Sequence, residues 1–271
     1  MTDQATSDPT PTRSRTECNR VPSVTPEFWL IKLMAVTMGE TAADYLAVNL
    51  GLGLTTTSLI MSAILVGALV LQFGQKRYVP WSYWLAVVLI SIVGTLVTDN
   101  LVDNFGVSLV TTTVFFTGAL LVTFAVWFAA ERSLSIHAIF TTRREGFYWL
   151  AILFTFALGT AAGDLVAEHF ALGYMATGVL FGMIIASIAT GYLVLKLDGI
   201  WAFWIAYVFT RPLGASFGDL LSQPADYGGL GFGTIITSAM FLSAIVAIVI
   251  YMSATAPGNL LTQTYPSSTY L

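Results

Sequence analysis

"GETAADYL", residues 39–46, lies inside a long apolar run and places two carboxylates, Glu40 and Asp44, where a hydrophobic span carries none. The motif returns as "GTLVTDNL" at 94–101, "GTAAGDLV" at 159–166 and "GASFGDLL" at 214–221. Each copy opens on glycine and carries aspartate five positions later: Asp44, Asp99, Asp164 and Asp219. Ten positions before each glycine stands a tryptophan: Trp29, Trp84, Trp149 and Trp204. The pattern W-x9-G-x4-D therefore occurs four times. The glycines are 55, 65 and 55 residues apart, so units one and three, and units two and four, are each offset by 120. Self-similarity at fixed spacing marks an internal repeat, here a doubled pair.

The chain around these motifs is built for a membrane. Of its 271 residues, 56% are hydrophobic and only 10% charged, with a mean hydropathy of +0.78; a soluble domain carries about 25% charged residues. No charge falls between Asp44 and Lys76, Asp103 and Glu131, His169 and Lys196, or after Asp226. Each gap holds the ~20 apolar residues that one span needs. The net charge of −4 comes without a basic stripe, so nucleic acid is not an expected partner. The single cysteine, Cys18, excludes an internal disulfide and any cysteine metal or redox motif.

The expected fold is all-α: eight transmembrane helices arranged as four parallel two-helix repeats in pseudo-twofold halves. Spans are expected at about 28–50, 55–74, 83–104, 107–129, 147–170, 174–195, 200–222 and 232–252. The domain expectation is a disordered tail over 1–27 and a first membrane half over 28–130. A linker over 131–146, a second half over 147–252 and a polar tail over 253–271 follow. The tail residues 1–26 lack the apolar core of a secretory signal. Apart from Lys32 and Arg211 inside the spans, lysine and arginine fall on one side only, at residues such as Arg20, Lys76, Arg77, Arg132, Arg143, Arg144 and Lys196. The positive-inside rule places that side, and both termini, in the cytoplasm. The four tryptophans then read as a belt at the cytoplasmic interface.

On these four W-x9-G-x4-D units, covering roughly 28–252, the chain resembles a bacterial family of membrane proteins. That family is built from four tandem two-span repeats of unknown function, with one characteristic tryptophan each. The resemblance implies an integral protein of the bacterial inner membrane and carries no activity with it.

A rise of 1.5 Å per residue sets each aspartate about 22 Å beyond its tryptophan, in the far half of the bilayer core. Parallel repeats put all four at one depth. Glu40, Asp103 and Glu168 lie four residues from Asp44, Asp99 and Asp164, on the same helix face. Seven carboxylates thus occupy the odd-numbered helices: Glu40, Asp44, Asp99, Asp103, Asp164, Glu168 and Asp219. A charge facing lipid is costly, so the odd helices are expected inside and the uncharged even helices outside. The glycines are expected either to permit close helix contact or to break the helix beside a cavity. The threonines at 55–57, 111–113, 177 and 234 are expected as N-caps or as added oxygen ligands. Arg211 is expected to pair with Asp219, and Lys32, low in the first helix, to be a structural partner. At least three of Glu40, Asp44, Asp99 and Asp164 remain uncompensated, and clustered acids in low dielectric bind protons or a cation.

All-oxygen ligands suit hard ions. The first expectation is a secondary transporter or channel for a divalent cation, Mn²⁺ or Mg²⁺, held by the seven carboxylates as substrate. Two alternatives stand beside it: a proton-coupled transporter of an organic solute or drug, and a noncatalytic scaffold. A tight oxygen cage would favour the first and a wide aromatic-lined cavity the second. No nucleotide-binding motif is present, His137 and His169 lie too far apart in the topology to share a haem, and no G-x-G-D motif supports an intramembrane protease. No enzyme activity and no resident cofactor are expected. The expected partners are the lipid bilayer and the cation, with oligomeric state left open.

Overall fold

The computed structural model describes residues 19–255, all of whose regular structure is helical. Eight long helices run in chain order: α1 (Pro26–Asp44), α2 (Leu54–Phe73), α3 (Pro80–Asp99), α4 (Leu109–Glu131), α5 (Thr142–Asp164), α6 (Gly173–Leu195), α7 (Gly199–Ser222) and α8 (Thr234–Thr255). Their starts follow local chemistry. Thr25, Ser108, Thr141 and Asp198 accept backbone N–H bonds as N-caps, and prolines open α1 and α3, where no N–H bond is lost. None of the expected threonine caps forms. Thr57, Thr112 and Thr113 donate back to carbonyls four residues earlier, while Thr55 and Thr234 reach Asn100 and Asn49.

The four odd helices form a closed inner ring: α1 packs on α3, α3 on α5, α5 on α7 and α7 on α1. The four glycines sit at these contacts. A Cβ on Gly39 would run into Ser91 of α3, one on Gly94 would lie 2.7 Å from Phe156 Cβ of α5, one on Gly159 would run into Arg211 of α7, and one on Gly214 would lie 2.8 Å from Val36 Cβ of α1. Each glycine thus admits the residue three positions before the next repeat's glycine, and the last returns to the first. The helices are unbroken at all four glycines, so close contact is the role they serve.

The outer helices obey an unexpected rule. Each packs chiefly on the inner helix of the following repeat: α2 on α3, α4 on α5, α6 on α7 and α8 back on α1. A repeat is therefore not a self-contained hairpin. Burial follows the inner and outer division that the charges imply. Buried residues make up 61–67% of the apolar windows of α3 and α5, but only 11–22% of those of α2, α4, α6 and α8. Six helices are long and apolar enough to cross a membrane; α1 and α7, which carry most of the buried charge, fall outside that set.

Two expectations are corrected here. Trp84, Trp149 and Trp204 are buried and Trp29 is partly buried, so the motif tryptophans fill the bundle interior and do not form a belt; Trp81 and Trp201 are the exposed ones. The reason lies one position earlier. Phe28, Tyr83, Tyr148 and Phe203 precede them, and these aromatic pairs interlock around the axis, with Tyr83 Oη and Tyr148 Oη 2.6 Å apart. Residues 19–25, included in the expected disordered tail, are also ordered. Asn19 brackets the 136–139 link through Ile136 O and Ile139 N, Tyr78 N donates to Asn19 O, and Arg20 reaches the fully buried Glu145 at 2.7 Å. Cys18, the rest of that tail and the polar tail beyond 255 lie outside the described residues.

Candidate functional site

The octapeptide that defines the repeat ends its helix in a particular way. Asp44, Asp99 and Asp164 are each the last α-helical residue of α1, α3 and α5, and a π turn follows: Tyr45–Asn49, Asn100–Asn104 and Leu165–His169. Such turns are rare and recur at functional sites. The fourth repeat departs from this, since α7 runs without a π turn past Asp219 to Ser222 and contains Pro212.

These helix ends surround a cavity of about 190 Å³. All seven carboxylates expected from the sequence line it, together with Val48, Leu54, Val102, Leu109, Tyr174 and Gln223. Glu40 and Asp219 are buried; Asp44, Asp99 and Asp164 are partly buried; Asp103 and Glu168 stand exposed at the mouth. Asp103 and Glu168 lie within the π turns that follow Asp99 and Asp164. Oxygens of Glu40, Asp164 and Asp219 lie within 4.8 Å of one another, a spread that ligands at ~2.1–2.5 Å from one ion can meet. The tightest group is therefore not the four aspartates but two of them with Glu40.

The basic partners are not those expected. Arg211 does not pair with Asp219, eight residues along its own helix. It reaches the adjacent inner helix α1 at Glu40, Nη2 to Oε2 at 2.7 Å. The same nitrogen donates to Thr95 and, at 2.8 Å, to Thr160, and Nη1 donates to Val36 O at 3.3 Å. Lys32 pairs with no acid: its ammonium donates to Tyr207 O at 2.8 Å and to Thr210, and lies 3.8 Å from the Tyr207 ring centroid. Both cations are buried. Glu40 is thus compensated, while Asp44, Asp99, Asp164 and Asp219 accept no hydrogen bond or ion pair from the described residues.

Thr95 and Thr160 are the guanidinium's partners that reading the acids alone passes over, and a signal for them existed. The position after each repeat glycine holds Glu40, Thr95, Thr160 and Ala215. Three of these four converge on the one guanidinium. The layer four residues on is the aspartate layer, so the ring stacks a hydroxyl and arginine floor beneath a carboxylate cup.

No curated protein and no solved structure matches the chain. A family match covers residues 28–78, 82–133, 147–197 and 202–256, one segment for each W-x9-G-x4-D unit. The chain belongs to the family described as Repeat of Unknown Function (DUF347).

Proposed function

We propose that the protein crosses the membrane eight times and carries a hard divalent cation, Mn²⁺ or Mg²⁺, through its carboxylate cup. One observation carries the reading. Four aspartates from four repeats line one small cavity, and none of them is ion-paired among the described residues. Charge of one sign held in low dielectric calls for a counter-ion. The cup is oxygen-lined, and Tyr174 is its only aromatic wall residue, which favours a metal ion over a bulky organic solute.

The same observation supports spans for α1 and α7. Their charges face a ring enclosed by the other helices, and the 24 residues of α7 extend about 36 Å, enough for a core about 30 Å thick. With the lysine- and arginine-rich links placed inside, the cup opens away from the cytoplasm, and the membrane is the inner membrane of a bacterium.

The test is Mn²⁺ and Mg²⁺ flux into liposomes holding the purified protein. Asp44→Asn and Asp164→Asn should each abolish flux while the protein inserts in normal amount, because neutralisation keeps the shape and lowers the desolvation cost. Divalent flux that survives both substitutions sinks the reading and leaves a scaffold role.

A further inference from the structure

Arg211 touches the cup from below and shares one of its members. Glu40, which accepts from Arg211 Nη2 at 2.7 Å, is also one of the three acids whose oxygens come within 4.8 Å of one another. Nothing else that holds the guanidinium is charged: its further acceptors are the hydroxyls of Thr95 and Thr160 and the carbonyl of Val36. Its Nε is buried without a partner. One carboxylate therefore has to serve two cations once an ion enters.

We infer that Arg211 is a tethered cation that competes with the transported ion for Glu40, loosening the ion's hold so that it can leave again. This rests on the cation reading above. A carrier site must attract its ion and also release it, and four unpaired aspartates alone would hold a divalent ion firmly. Arginine suits the task because it stays charged at every working pH. The placement is particular to one repeat, since Val36, Ser91 and Phe156 fill the corresponding positions of the other three. It also falls beside Pro212, the proline inside an inner helix, where a missing N–H removes one helix bond. Lys32 lies further along the same interior, where its amine donates to Tyr207 O and to Thr210.

The experiment uses the full chain in liposomes with Mn²⁺ as the probe, reading KM and maximal flux together with calorimetric Kd. Arg211→Gln should lower both KM and Kd by at least about tenfold, from one repulsive unit charge at close range, and slow the maximal flux. Arg211→Lys keeps the charge and should return both constants toward the wild-type values. An arginine with a purely structural role would reduce the amount of inserted protein without tightening binding. Should Arg211→Gln not insert, the double variant Arg211→Gln/Glu40→Gln, which leaves no stranded charge, is read against Glu40→Gln alone; with the guanidinium gone it should bind Mn²⁺ more tightly than that single variant. An unchanged or higher Kd in Arg211→Gln, or a double variant that binds no more tightly than Glu40→Gln, overturns the inference while wild-type binding keeps the cation reading standing. Wild-type protein that binds no Mn²⁺ overturns both.

Discussion

Three residues before each repeat glycine, the chain carries Val36, Ser91, Phe156 and Arg211. In the fold these four do the same steric job, each filling the notch of the preceding repeat's glycine. Only the last adds charge. Its anchoring explains why sequence reading placed the acids well and the bases poorly. The aspartates stood out because four equal spacings fix one depth. Arg211 seemed to belong with Asp219, but eight residues of helix separate them by about 12 Å, whereas the ring brings Glu40 from a distant repeat to 2.7 Å. Such a contact depends on which helices adjoin, and that is not written in local spacing. The hydroxyls around the guanidinium give a direct check. Thr95→Val and Thr160→Val each remove an acceptor from a buried cation and should destabilise the protein by about 1–3 kcal/mol. Thermal unfolding in detergent would read this; unchanged midpoints in both variants would show that the floor is not held by these bonds.

Helix number, order and approximate ends were legible at the scale of the element, because apolar length and the repeat fix them. Helix pairing was not. Each glycine-containing link, "NLGLGL" in the first repeat, invites reading its two helices as a hairpin. Instead the π turn and the positive-φ glycines that follow, Gly51 and Gly53 in that link, deliver the outer helix to the neighbouring repeat. Ring contacts made through glycine should be intolerant of even one added carbon. Gly94→Ala puts a methyl group against Phe156 and Ala157 and should destabilise by about 1–3 kcal/mol. Gly67→Ala, on the open face of α2 with nothing within 4 Å, should be neutral or stabilise by up to about 1 kcal/mol. Equal melting temperatures for the two variants would mean the inner ring is loosely packed.

Across the whole molecule, the sequence made the division into inner and outer helices visible through charge alone, since the helices expected to carry no charge ended outside. It misplaced the tryptophans because an indole at a span end serves a belt and a buried plug equally well, and only the aromatic residue beside each one decides. Topology can be checked directly: reporter fusions in the link at residues 171–172 should read outside and fusions at Ser135 inside. An inside signal at the first position would remove the eight-span arrangement. The single arginine of the ring bears on how such a chain could have arisen. A homodimer of the first half would place only Val36 and Ser91 at the notches, with no cation among them. A homodimer of the second half would place two arginines there, facing one another across the axis. Only one copy of each half gives a lone guanidinium opposite Glu40. Joining the halves in one polypeptide therefore fixes one copy of each, and with it a single guanidinium in the ring.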